Sequence, residues 1–145
     1  MVQLVNESVD LANDLRPILL RIVRHLRAET HARGITGGQV SLLVAIEFHP
    51  GMTAHELAER EGLSAPGVSG HLARLEGQKL ISRERTSDRR RVGLYLTGEG
   101  RRVLATVREQ RTSWLASRIE ELSPEEREAI RGALAALDHL SMGDR

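Results

Sequence analysis

Apolar residues recur at spacings of three and four along most of this chain, which is the pattern of amphipathic helices. Pro17 interrupts the first of these segments, where a proline kinks or breaks a helix. Thr53 with Glu56, and Ser123 with Glu126, have the spacing of a capping box, which marks a helix start. Six helices are therefore predicted, beginning at Val9, Thr36, Thr53, Ser64, Thr97 and Ser123.

The stretch over residues 80–97 differs, because its second half alternates with a period of two. Alternation of this kind predicts a half-buried strand, and the turn before it predicts a β-hairpin. The expected fold class is therefore mainly α with one β-hairpin (α+β), in a single domain over residues 1–145. On the second strand we expect Val92, Leu94 and Leu96 on one face, with Gly93, Tyr95 and Thr97 on the other.

Five arginines give this hairpin a strong positive charge. An isolated guanidinium is costly to bury, so these side chains are expected to point into solvent, where a polyanion can reach them. The formal net charge is only +1, yet residues 63–118 carry 12 Lys and Arg against 5 Asp and Glu. That concentration is typical of a phosphate-binding surface, with a solvated charged face as the alternative. The arginines are Arg83, Arg85, Arg89, Arg90 and Arg91.

The third and fourth helices have the spacing of a helix-turn-helix. Ala58 is small enough for a second helix to cross closely, Gly62 permits the tight turn, and Val68 packs the second helix back. Small residues at the start of the fourth helix would let it enter a major groove, and Arg74 could reach a guanine edge or a phosphate. A purely structural helix pair is the alternative. The candidate DNA contacts here are Thr53, Ser64, Ala65, Pro66, Gly67, Ser69, Gly70, His71 and Arg74.

The composition argues against disulfide-bonded, membrane-spanning, secreted and metal-binding proteins. The chain has 145 residues, enough for one domain with a core, and no cysteine, so we expect no disulfide and no thiolate metal site. It contains no run of about 18 apolar residues and no secretory signal, so we expect no membrane span and a cytoplasmic location. None of its six histidines forms an i, i+4 pair, so neither a metal nor another cofactor is expected.

The sequence matches two enzyme motifs only in part. The segment His55-Glu56-Leu57-Ala58-Glu59 has a glutamate where the zinc-protease motif HExxH has its second histidine. The segment Gly67-Val68-Ser69-Gly70-His71 approaches GxSxG, yet it ends in histidine and lacks the preceding strand. We therefore expect no catalytic residues and no enzymatic activity.

Two motifs in the hairpin and the helix before it match a known family. Asp88-Arg89-Arg90 is followed by Leu94-Tyr95-Leu96-Thr97, and Leu72, Leu75-Glu76 and Leu80-Ile81 precede them. The segment from Asp88 to Thr97 fits the wing signature Asp-x-Arg with Leu-Thr at its end. The segment from Leu72 to Ile81 fits a recognition helix and the residues that follow it. On these residues the chain resembles the MarR family of winged helix-turn-helix regulators, over nearly its whole length.

The resemblance implies a winged helix-turn-helix lobe over residues 35–97 and dimerisation helices over residues 1–34 and 98–145. It implies a homodimer that binds a pseudo-palindromic operator in double-stranded DNA, usually as a repressor. Ser64 through Arg74 would contact the major groove, Arg90 the minor groove, and Asp88 would orient the wing arginines by a charge-assisted hydrogen bond. Many members release DNA when a small phenolic or aromatic anion binds, and the residues that would bind such an effector stay unassigned.

The residues alone leave a second hypothesis open. A winged-helix DNA-binding module could be architectural, or controlled by another protein, without a ligand switch. Recognition of RNA by base stacking is disfavoured, because the chain has one Trp, one Tyr and one Phe and they form no platform. The long terminal helices could likewise pack within one chain and not across a dimer.

Overall fold

The computed structural model describes residues 2–28 and 34–142, with side chains described from residue 6 onward. These residues form six helices and one antiparallel hairpin, so the predicted fold class is confirmed. Pro17 lies inside the first helix, which begins at Val2 rather than Val9, so of the two alternatives at Pro17, a kink or a break, the break is absent. The elements are α1 (Val2–Ala28), α2 (Gly37–Phe48), α3 (Ala54–Glu61), α4 (Ala65–Gly77), β1 (Ile81–Arg85), β2 (Val92–Leu96), α5 (Gly98–Glu120) and α6 (Pro124–Ser141).

Side chains close to each helix start account for its position. The capping boxes predicted at Thr53 and Ser123 are both formed, and α2 has a third, in which Thr36 pairs with Gln39. The hydroxyl of Thr97 accepts the Gly100 backbone N–H at 3.0 Å and so caps α5. Each of these bonds satisfies a backbone donor that a helix end would otherwise leave unpaired.

A leucine-rich core joins α2, α3, α4, the hairpin and the first half of α5. Leu104 and Val107 of α5 are fully buried in it, so this core extends beyond the hairpin. The connection between α2 and α3 also pairs with β2, through backbone bonds from Gly51 to Leu94 and from Leu94 to Met52. The largest fully buried apolar side chains are Leu42, Leu43, Ile46, Leu57, Leu72, Leu75, Leu94 and Leu104.

The two faces of β2 differ from the expected alternation. Leu94 and Leu96 are buried as predicted, but Val92 is 44% exposed because it lies at the end of the strand next to the turn, where no core residue covers it. Gly93 is buried on the face expected to be open. The backbone of Gly51 lies so close that a Cβ on Gly93 would be 2.8 Å from it.

The chain divides into two compact units, residues 1–111 and residues 112–145. In the first unit, the Arg111 Nε donates to the Leu26 carbonyl at 3.2 Å and so joins α5 to the last turn of α1. In the second unit, Arg118 stacks over Trp114, with its guanidinium carbon 5.9 Å from the ring centre. Within the described residues, no helix is both long enough and apolar enough to cross a membrane.

Candidate nucleic-acid interface

The turn between α3 and α4 has the geometry that the sequence predicts for a helix-turn-helix. Gly62 ends α3 in the left-handed conformation, with φ of 64°, which glycine adopts without a steric cost. The Leu63 N–H donates to the Ala58 carbonyl at 2.9 Å, and Ser64 caps the next helix by accepting the Gly67 N–H. This turn directs α4 away from α3 within three residues.

Helix α4 has one apolar side that is buried and one outer side that begins with small residues. Val68, Leu72 and Leu75 are buried in the core, so their positions determine which side of the helix remains outside. Arg74 is exposed at the end of that outer side, and no carboxylate within the described residues pairs with it. The outer residues at the start of α4 are the predicted ones: Ser64, Ala65, Pro66, Gly67, Ser69 and Gly70 are exposed, and His71 is half-buried.

The hairpin turn, called the wing below (residues 86–91), is closed by its own backbone and by one carboxylate. The Arg91 N–H donates to the Asp88 carbonyl at 2.9 Å, and the Thr86 N–H donates to the Arg91 carbonyl at 3.1 Å. The Asp88 carboxylate accepts the backbone N–H of Arg90 at 3.1 Å. The Asp88 carboxylate therefore makes its charge-assisted hydrogen bond to the backbone of a wing arginine, and within the described residues it pairs with no guanidinium. Its side chain shapes the turn that carries Arg89 and Arg90. A role of this bond in orienting the wing arginines toward DNA stays a prediction.

All five hairpin arginines are exposed, as expected, and two of them pair with a carboxylate. The Arg83 Nε is 2.7 Å from a carboxylate oxygen of Glu76 on α4. The Arg91 guanidinium is bonded to Glu56 on α3. Within the described residues, no carboxylate pairs with the side chains of Arg85, Arg89 or Arg90.

Glu56 joins the wing to the start of α3. One carboxylate oxygen accepts the Thr53 backbone N–H at 2.8 Å, and the other accepts the Arg91 guanidinium. The bond from the Thr53 backbone is the main reason that the pKa of Glu56 lies below its ordinary value. Desolvation raises this pKa, and the positive charge of Arg91 lowers it. Thr53 is half-buried within its cap, and Glu56, Arg60 and Arg91 line an open cavity of about 430 Å³ beside it.

Neither Glu56 nor Glu76 was among the residues that the sequence singled out for the site. Glu56 had been interpreted only as a helix cap, and its partner Arg91 is 35 residues away along the chain. No local spacing indicates such a pair. Within the described residues, no group of three or more histidine or acidic side chains could hold a metal ion.

The comparison with known proteins agrees with this geometry. A model of the MarR family matches residues 33–91, which include α2, the helix-turn-helix and the wing. A helix-turn-helix transcriptional regulator of Mycobacterium tuberculosis is 28% identical over 131 residues, which cover 90% of this chain and 92% of that protein. Over residues 33–91 the chain is similar to the MarR family. The curated relatives that it matches over most of their length are named helix-turn-helix transcriptional regulators.

Solved MarR-type structures show how far the similarity extends. A transcriptional regulator of Pseudomonas aeruginosa is 28% identical with a TM-score of 0.81, and the match covers 96% of this chain and 99% of that one. The Staphylococcus aureus regulator MepR, in a mutant bound to an oligodeoxyribonucleotide, is 24% identical with a TM-score of 0.69, over 91% and 98% of the two chains. The second likeness supports the fold alone, and its DNA complex is a property of MepR.

Proposed function

We propose that this chain is a MarR-type regulator, a homodimeric repressor that binds a pseudo-palindromic site in double-stranded DNA. The observation that carries the proposal is the outer side of α4, made mostly of small residues and followed by three arginines that pair with no carboxylate of the described residues. Small side chains allow a helix to approach base edges in a major groove, and unpaired guanidinium groups bind phosphates or the narrow minor groove.

The proposed contacts divide by chemistry. Residues Ser64–Arg74 provide hydroxyl, imidazole and guanidinium groups to the major groove, where base identity can be distinguished. The hairpin residues Arg85, Arg89 and Arg90 supply positive charge to the backbone and minor groove, with Thr53 just before α3 as a further backbone contact. The attraction between charges is independent of sequence and sensitive to salt, whereas the base contacts of α4 depend on sequence.

A dimer is supported by apolar side chains that the described chain does not cover. On α1, Leu11 is 66% and Leu20 is 63% exposed. On α6, which has no buried residue, Leu134 is 57% and Leu140 is 64% exposed. Exposed apolar residues at helical spacing are typical of a surface that another chain covers. Two lobes in one dimer would also double the length of DNA that is contacted.

Release of DNA by a small aromatic anion is the remaining part of the proposal. Its support is the resemblance to MarR regulators described above. The test is a titration of the DNA complex with simple aromatic carboxylates, salicylate first, which should lower affinity without unfolding the protein.

The experiment that tests the main proposal is selection of binding sites from a random duplex pool, followed by titration against scrambled DNA at two salt concentrations. We expect a palindromic site that is preferred by about a thousandfold or more. Equal affinity for every duplex would favour an architectural module instead. Failure to bind any duplex would contradict DNA recognition altogether.

A further inference from the structure

The wing has few attachments to the rest of its lobe. Among the residues that the structure describes, the backbones of the two strands pair with each other and, through Leu94, with Gly51 and Met52. Those bonds lie at the middle of β2 and do not reach the turn. A two-stranded hairpin has little stability of its own, so side-chain contacts decide where its tip stands.

Two ion pairs supply such contacts, one on the first strand and one in the turn. Arg83 on β1 is bonded to Glu76 of α4, and Arg91, immediately before β2, is bonded to Glu56 of α3. Each helix of the helix-turn-helix therefore contacts one side of the hairpin. The Arg91 contact lies closer to the tip, because Arg91 is itself a wing residue whose N–H and carbonyl close the turn.

The Glu56 carboxylate is also held by bonds that do not involve Arg91. Its second oxygen is bound to the Thr53 backbone N–H, and the Glu56 backbone N–H returns a bond to the Thr53 hydroxyl at 3.2 Å. A side chain held in this way presents an oxygen at a defined position. Because the pair is about half exposed, it adds little to the free energy of unfolding, and its effect is on geometry.

We propose that Arg91 is a positioning residue, which Glu56 holds so that the neighbouring Arg89 and Arg90 face DNA. This inference rests on the proposed function, since it assigns roles within the same DNA-binding surface. A wing that is held in its DNA-binding position in the free protein loses less conformational freedom when DNA binds. The protein's affinity for DNA is therefore higher. The alternative is that Arg91 itself binds a phosphate of DNA, in which case Glu56 competes with DNA for Arg91.

The substitution Glu56→Gln separates the ion pair from the helix cap. Glutamine serves as the third residue of the same capping box in α2, where the Gln39 Oε1 accepts the Thr36 N–H at 3.0 Å. Glu56→Gln should therefore keep the cap while removing the charge that holds Arg91. The matched control is Glu126→Gln, which alters the corresponding box of α6, where within the described residues no arginine pairs with the carboxylate.

The experiment compares wild type, Glu56→Gln, Arg91→Gln, the double variant and the control Glu126→Gln. It measures affinity for the selected duplex and its dependence on salt. We expect Glu56→Gln and Arg91→Gln each to weaken binding by about three- to tenfold, with the double variant no weaker than Arg91→Gln alone. The control should match wild type. If the Glu56→Gln variant binds DNA more tightly than wild type, or equally tightly, the inference is overturned.

A second measurement does not depend on DNA. Amide hydrogen exchange in the free protein reports the opening of the wing at the Thr86 and Arg91 N–H groups, which are bonded within the turn. Both single variants should exchange faster there by about threefold or more, and the Glu126→Gln control should not. Unchanged exchange in Glu56→Gln would refute the positioning role, even if wild type bound no duplex and the proposed function failed on its own.

Discussion

The backbone of Gly100 in α5 lies directly against the carbonyl oxygen of Leu80, at the entry to β1. A Cβ built on Gly100 would stand 2.2 Å from that oxygen, far inside van der Waals contact. The same carbonyl accepts the Thr97 N–H at 3.1 Å, so it cannot move away without breaking a bond. The first turn of α5 therefore approaches the hairpin more closely than any side chain allows.

The first prediction concerns this contact. Gly100→Ala should lower the free energy of unfolding by about 1–3 kcal/mol or more, because the backbone must shift to admit a methyl group. Urea unfolding measures the loss. Gly98→Ala in the same helix is the matched control, since a Cβ there meets nothing within 4 Å. Equal stability of the two variants would mean that the close approach to Leu80 does not occur in solution.

The second prediction concerns Arg90 on the wing. Arg90→Ala should weaken binding to many duplexes alike and reduce the slope of log affinity against log salt by about 0.9 for each phosphate that the side chain neutralises in wild type. Titrations at several salt concentrations give the slope. Arg102→Ala is the control, because that arginine lies on α5 and pairs with Glu99. An unchanged slope for Arg90→Ala would remove it from the DNA surface.

The third prediction concerns sequence preference. Ser69 is exposed on α4, and replacing it with leucine should block close approach to a major groove. We expect the preferred sequence to change in a repeated selection from random DNA, and Arg74→Ala to relax preference at one position at a cost of about 1–3 kcal/mol. Selected sequences that remain the same for both variants would place recognition on another element.

The fourth prediction concerns the dimer. Leu134→Glu places a charge among the exposed apolar residues of α6 and should shift the protein toward monomer, with weaker binding to a palindromic site. Analytical ultracentrifugation measures the mass directly. Arg131→Gln serves as the control on the same helix, because Arg131 forms an exposed ion pair with Glu128. If Leu134→Glu and wild type have the same mass, the apolar side of α6 is not the interface.

The fifth prediction concerns pH. The pKa of Glu56 is below its ordinary value of 4.5, mainly because of the Thr53 backbone bond. A carboxyl with a lowered pKa in the folded state stabilises that state above its unfolded pKa and loses this effect as the pH falls through the folded one. Below about pH 4.5 the unfolding free energy of wild type should therefore fall more steeply than that of Glu56→Gln. Parallel pH profiles in urea unfolding would contradict this.

Much of the fold could be predicted because its signals are local. The caps at Thr53 and Ser123, the stop at Gly62 and the start at Ser64 each depend on residues three or four positions apart, and all are formed. At Pro17, where the sequence allows either a kink or a break, the helix is unbroken. Helical periodicity continues on both sides of it, and α1 accommodates the lost hydrogen bond within one helix.

The outer side of α4 could also be predicted, because the buried positions Val68, Leu72 and Leu75 determine which residues face outward. Local residue patterns predict the order of the elements, most helix ends and the clustering of positive charge. The ion pairs of Arg91 with Glu56 and of Arg83 with Glu76 could not be predicted in this way. A helix cap uses neighbours in the chain, whereas these ion pairs join residues that come together when the chain folds.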